Sequence, residues 1–175
     1  PFTGEVSAQE LRSIGVRYVI IGHSERRALG ETDETVAKKV AAAIAHQLIP
    51  IICIGEQKAD RVAGKTNEVV SRQLRAALSL IPADIGENKP LAYLAYEPVW
   101  AISTNQVGAP GVAMPEDAAV VIQYLQGIIR GAPITPIFLY GGSVDDSNLA
   151  NFWLFRRLAG RSPAPPVYEP ASLKK

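Results

Sequence analysis

An intrachain disulfide is impossible in this chain, because Cys53 is its only cysteine. That thiol sits inside the apolar run IPIICIG, which predicts a buried group in a reducing compartment. No apolar run reaches the roughly 18 residues that a spanning helix needs, and no secretory leader is visible. A cytoplasmic location without membrane attachment is the expectation. Neither sign of charge prevails: 18 basic and 17 acidic residues leave a net charge of +1. Electrostatics therefore offer no argument for a nucleic-acid or anionic-membrane partner. Histidine is almost as scarce as cysteine, with His23 and His46 alone, and no Cys or Asp cluster stands at metal-ligand spacing. Neither a GxGxxG nor a P-loop pattern occurs. No metal site and no nucleotide cofactor is expected.

What is present is apolar material in a regular rhythm. Apolar residues make up 47% of the 175, enough for the core of one domain. Ser7 and Glu10 form a capping-box pattern that opens a helix over Ala8–Ile14, closed by Gly15. Strands are predicted over Val16–Ile21, Ile49–Ile54, Leu91–Tyr96 and Ile134–Tyr140. The Tyr18–Ile21 run, continuous and β-branched, predicts a strand buried on both faces. Between the strands lie amphipathic segments over Asp33–His46, Thr66–Leu80 and Pro115–Arg130. Their apolar stripes are Val36, Val40, Ala43 and Ile44; Val70, Leu74, Ala77, Leu78 and Ile81; and Ala118, Val121, Ile122, Leu125 and Ile129. Alternating strands and helices are the βα units of a parallel sheet. Residues 1–150 form this regular part. Residues 151–175 form a divergent tail of the same domain, with an aromatic segment over Leu149–Leu158 followed by the proline-rich GRSPAPPVYEP. The opening PFTGE has neither an initiator methionine nor the pattern of a leading strand, and reads as the start of a fragment or a processed product.

Four strand ends carry the chemistry: GHSERR, GE, EPVWAI and YGGSV. Side chains just past the carboxyl ends of parallel strands face a common crevice. His23 can donate or accept a hydrogen bond near neutrality, and Glu97 can remove a proton. On two strand ends of one sheet they could flank a small substrate; the alternative for His23 is a structural hydrogen bond. Gly142 and Ser143 offer backbone N–H groups and a hydroxyl to an anion, or form only a turn. Pro98, Val99, Trp100, Ala101, Ile102, Ser103 and Thr104 read either as a closing lid or as a surface loop with Trp100 packed on the sheet. His46 reads as a surface or cap residue.

The segments FTGEVS, YVIIGHSERR, ETDETVAKKV, CIGE, AGKTNEVVSRQL, AYEPVWAI and YGGSV resemble triosephosphate isomerase, in the same order. The resemblance implies a partial (β/α)8 barrel, active at the carboxyl ends of its strands. It also implies the roles established for that family, carried over here by motif. Glu97 would be the general base for a phosphorylated triose, and His23 the electrophile on the substrate oxygens. Glu25 and Ser24 would support them, Ser103, Gly142 and Ser143 would bind the phosphate, and Pro98–Thr104 would be the lid. Phe2–Glu5 resembles the loop that enters a partner subunit, which implies a homodimer in glycolysis and gluconeogenesis.

Three departures bear on activity. The family's first three strands, with their Asn-x-Lys segment, have no counterpart here. The lid AIGTG becomes Ala101-Ile102-Ser103-Thr104-Asn105, and the phosphate-binding LVGGASL becomes Val167-Tyr168-Glu169-Pro170-Ala171-Ser172-Leu173. Proline lacks an N–H, and a carboxylate repels phosphate. The isolated chain is expected to show low activity or none. The rival readings are a truncated, non-catalytic paralogue serving as a binding or oligomerisation module, and a barrel acting on another phosphosugar.

Overall fold

The computed structural model describes residues 3–83, 88–102 and 115–142. Its elements, in chain order, are α1 (Ala8–Ser13), β1 (Tyr18–Ile21), α2 (Ser24–Ala28), α3 (Asp33–Ala45) and β2 (Ile49–Ile54). They continue with α4 (Lys58–Val62), α5 (Thr66–Leu78), β3 (Leu91–Tyr96), a 3-10 turn (Val99–Ala101), α6 (Pro115–Ile128) and β4 (Thr135–Tyr140). The four strands form one sheet in the order β1-β2-β3-β4, and every neighbouring pair is parallel. A sequential parallel order requires each connection to cross back over the sheet, which the intervening helices do.

Local chemistry starts several of these elements. Ser7 and Glu10 form the expected capping box: Ser7 Oγ accepts from the Glu10 N–H at 3.2 Å, and Glu10 Oε2 accepts from the Ser7 N–H at 2.9 Å. Thr32 caps α3 by accepting from the Thr35 N–H. Past the end of α3, Gln47 takes a left-handed φ of 59° and turns the chain into β2. His46 is the C-cap of α3, exposed, with Nδ1 at 2.9 Å from the Ala42 carbonyl, as a cap residue should be.

Successive strand residues point to opposite faces, so a parallel register divides the sheet cleanly in two. Ile52 pairs with Leu94 and Leu94 with Phe138, while Ile54 pairs with Tyr96 and Tyr96 with Tyr140. This face joins Val36, Val40 and Ala43 of α3, Val70, Leu74 and Ala77 of α5, and Val121, Ile122 and Leu125 of α6 in the core. The stripes read from the sequence are the buried ones, with Ile44 and Leu78 at the margin. Leu94 has no exposed surface at the centre of this layer. Leu94→Ala is expected to lower stability by ~2–5 kcal/mol, measured by urea denaturation. A change of a few tenths of a kcal/mol would mean that the layer can close around the gap.

The other face corrects one expectation. Tyr18 is 46% and Ile20 63% exposed, so β1 is not buried on both sides. Only the face carrying Ile21 meets the helices. Tyr18 and Ile20 share the opposite face with Ile49, Ile51 and Tyr93, and the Tyr18 and Tyr93 rings meet edge-on at 6.0 Å. A continuous apolar run states a preference for burial on both faces; among the described residues only one face is covered. Boundaries shift by a few residues, as at β1, which begins at Tyr18 rather than Val16. Two short helices, α2 and α4, were not anticipated. The segments over 103–114 and 143–175, including Leu149–Leu158, lie outside the described residues.

Candidate active site

The parallel ladder runs on beyond the strands and aligns their ends. Glu97 N–H donates to the Ile54 carbonyl at 2.8 Å, and Gly141 N–H to the Tyr96 carbonyl at 2.8 Å. Gly55, Glu97 and Gly141 therefore stand side by side at the carboxyl edge of the sheet. At the end of β1, Gly22 turns the chain with a φ of 75°, a left-handed conformation that glycine adopts without a Cβ penalty. His23 follows as the N-cap of α2.

His23 and Glu97 meet. His23 Nε2 lies 2.8 Å from Glu97 Oε1, and the Ser24 N–H donates to Glu97 Oε2 at 3.1 Å. The tautomer of His23 follows from its other nitrogen, which accepts the Glu25 N–H at 3.3 Å. With Nδ1 an acceptor, the ring proton sits on Nε2 and points at Glu97. The Glu25 carboxylate is a weaker competitor for Nδ1, since it stands 3.9 Å away on a side chain that is 76% exposed. Glu25 thus supports His23 through its backbone rather than its charge. Ser24 is buried, and its peptide N–H is the group that fixes the carboxylate.

Glu97 is only 4% exposed. Burial raises its pKa from the ordinary 4.5, and the Ser24 hydrogen bond and His23 oppose that rise without cancelling it. The consequence for stability has a definite sign. A carboxyl whose folded pKa is raised contributes stability fully below its unfolded value, and that contribution is lost as pH climbs through the folded value. Urea denaturation of the parent chain and of Glu97→Gln, compared from about pH 4 to pH 8, checks this. The glutamine variant is expected to gain relative stability as pH rises above about 4.5; a flat difference would contradict it. Cys53, behind the same site, has its thiol pushed up to about 12 by burial and by Glu97, and so stays protonated.

A second buried carboxylate anchors the chain just after Glu97. Glu56, with no exposed surface, accepts from Tyr96 Oη at 3.0 Å and from Trp100 Nε1 at 2.9 Å. Arg61 approaches it at 3.7 Å, lies 4.4 Å over the Trp100 ring, and ion-pairs with Asp117 at 2.6 Å. The expected alternative for Trp100, simple packing on the sheet, is replaced by a specific polar anchor. Pro98, Val99, Trp100 and Ala101 form the held start of the loop, and Ile102 follows them. Ser103, Thr104 and Ser143 lie outside the described residues, whereas Gly142 follows directly on the edge formed by Gly141. Sequence reading missed Glu56 and Arg61. The GE dipeptide at the end of β2 was the available signal, but its partners come from other elements.

A family model described as triosephosphate isomerase matches residues 1–161. The chain belongs to the triosephosphate isomerase family. It is 46% identical over 153 residues to the triosephosphate isomerase of Alkaliphilus oremlandii, covering 84% of this chain. Against that of Roseiflexus castenholzii the identity is 47% over 152 residues, and against that of Moorella thermoacetica 47% over 154, each covering 85% of this chain. The chain spans 58–59% of the length of these curated relatives. Its parallel sheet and flanking helices are thus a partial (β/α)8 barrel of the triosephosphate isomerase family. Among the described residues, no group of three His, Cys, Asp or Glu side chains could hold a metal ion, and no helix is long and apolar enough to cross a membrane.

Proposed function

We propose that this chain carries the proton-transfer centre of a triose-phosphate isomerase, interconverting dihydroxyacetone phosphate and D-glyceraldehyde 3-phosphate through an enediol(ate). The observation that carries the reading is the 2.8 Å approach of His23 Nε2 to Glu97 Oε1 from two different strand ends. A buried carboxylate with a raised pKa is a competent base for a carbon-bound proton. The imidazole beside it, protonated on Nε2, is a neutral donor for an oxygen that gains negative charge as that proton leaves.

The chemistry then follows. A substrate entering between the two groups takes the Nε2–H onto its oxygens and frees one carboxylate oxygen. Glu97 removes the proton from one carbon and returns it to the neighbouring one, while the hydroxyl proton passes from the first carbon's oxygen to the second's, both oxygens lying beside His23 Nε2. Ser24 N–H holds the other carboxylate oxygen in the resting arrangement and releases it as the side chain turns toward the substrate. Ser103, Gly142 and Ser143 would receive the phosphate. The loop from Pro98 to Thr104 would close over the intermediate and exclude water, its near end held by Trp100 on Glu56. A homodimer and a cytoplasmic location complete the reading. The sequence departures favour the non-catalytic module, but the family match and the relatives named triosephosphate isomerase give it no support.

Proton exchange in D2O tests it without requiring full turnover. The 175-residue chain, incubated with dihydroxyacetone phosphate, is expected to place deuterium on the carbon next to the carbonyl faster than buffer does. The rate should fall below that of ordinary family members. The unphosphorylated ketone should exchange at the buffer rate. Equal exchange with both ketones, or none above buffer with either, would overturn the assignment.

A further inference from the structure

Arg27 lies one helical turn beyond His23, and its backbone N–H donates to the His23 carbonyl at 3.0 Å. Its side chain does not extend into solvent; it curls back along the start of α2. Nε donates to the Gly22 carbonyl at 2.8 Å, and Nη1 pairs with Asp33 Oδ1 at 2.7 Å on the first turn of α3. Arg72 of α5 also pairs with Asp33. One guanidinium therefore joins the residue that turns the chain out of β1 to a carboxylate held by two other helices. The Arg27 side chain is only 18% exposed, and that of Asp33 12%.

We propose that Arg27 is a positioning residue for the proton-transfer pair, fixing the Gly22–His23–Ser24 turn so that His23 Nε2 and the Ser24 N–H reach Glu97 together. The Glu25 N–H on His23 Nδ1 and the Arg27 N–H on the His23 carbonyl brace the turn from within α2, whereas the guanidinium ties it to a different helix. Gly22 is intrinsically free, and a Cβ there would meet Arg27 Nη2, the Cys53 carbonyl and Val36 Cγ2, each at 3.2 Å. The guanidinium thus occupies the space over the glycine as well as binding its carbonyl. Nη2 is buried and has no hydrogen-bond partner among the described residues. A neutral side chain could fill this space without desolvating a cation or leaving a nitrogen unpaired. What it could not do is grip a carbonyl and a carboxylate at once in one rigid plane. Burial pulls the Arg27 pKa down, while Glu31, Cys53 and Glu97 act to raise it, so the same cation also feels the catalytic carboxylate.

This inference rests on the isomerase reading for its meaning, but its test needs no substrate. In the isotope-labelled 175-residue chain, the His23 Nε2–H signal and the Ser24 amide proton report the two contacts to Glu97 directly. Arg27→Lys keeps the charge and one ammonium but cannot span both acceptors. It is expected to abolish the slowly exchanging Nε2–H signal and to move the Ser24 amide proton upfield. The Leu94 amide, in the core, should stay in place. Asp33→Asn keeps the arginine and loosens the clamp, and a smaller shift in the same direction is expected. If both signals hold still in a folded Arg27→Lys chain, or if Leu94 moves with them, the residue is structural only. Should Arg27→Lys fail to fold, unchanged signals in Asp33→Asn overturn the proposal, and so does failure of both variants to fold. Shifted signals in a chain without proton exchange would count against the isomerase reading and leave the clamp standing.

Discussion

Glu97→Gln is expected to slow deuterium exchange into dihydroxyacetone phosphate by ~10²–10⁴, the range that a positioned general base supplies. The substitution is nearly isosteric, so it isolates chemistry from packing. The amide oxygen can still accept the Ser24 N–H, which meets Glu97 Oε2 at 3.1 Å, while the amide NH2 then faces the His23 Nε2–H and that hydrogen bond is lost. What glutamine lacks is a basic oxygen for the substrate proton. Folding is expected to survive the lost His23 hydrogen bond, because the cost of burying a carboxylate, which raises the Glu97 pKa, is removed with it. An exchange rate within about threefold of the parent would mean that the carboxylate is not the base, since that is far below the ~10² minimum for such a group. A large fall accompanied by unfolding would be uninformative about chemistry, so the same samples should be compared in urea.

Gly55→Ala is expected to do the reverse and disable the site by disrupting its frame. Gly55 follows β2 directly, and Gln73 of α5 brackets its backbone, Oε1 accepting its N–H at 2.8 Å and Nε2 donating to its carbonyl at 3.1 Å. A Cβ built there would overlap the carbonyl oxygen of Glu97, and would stand 2.5 Å from the carbonyl carbon and 3.3 Å from Pro98 N. Every one of these atoms is backbone, so no side chain can rotate away. Gly55 has no left-handed φ, and the penalty is steric alone. Relief requires β2 and β3 to separate just where the Glu97 N–H meets the Ile54 carbonyl. The loss should exceed the ~1–3 kcal/mol usual for an overpacked core, and exchange should vanish with it. A urea midpoint equivalent to less than ~0.5 kcal/mol would show that the strand ends are less tightly apposed than this geometry requires.

The parts legible in the sequence were those governed by local pattern. The stripes of α3, α5 and α6 have the helical period and bury the expected residues, and the capping box at Ser7 forms as written. His23 and Glu97 could be paired because both follow parallel strands, and parallel strands deliver their ends to one edge. Other features depend on partners distant in the chain. α2 is five residues long, too short for periodicity to register; its start depends on His23 turning its ring onto the Glu25 N–H. Glu56 looked like a strand-end polar residue until Tyr96 and Trp100, both near the end of β3, closed around it. The exposure of Tyr18 and Ile20 was illegible for a related reason: an apolar run states a preference for burial, not what covers it. The chemistry assigned to these residues came largely from the ordered set of motifs, since a histidine and a glutamate on a sheet edge are compatible with several reactions.

On the proposed isomerase reading, His23 and Glu97 act on one substrate as a unit. The most direct measurement is deuterium exchange into dihydroxyacetone phosphate by the parent chain, His23→Gln, Glu97→Gln and the double variant, under one set of conditions. Groups that serve the same transition state are strongly non-additive. The expected result is a double variant no slower than the slower of the two single ones. Losses that multiply, as they do for independent sites, would contradict the account.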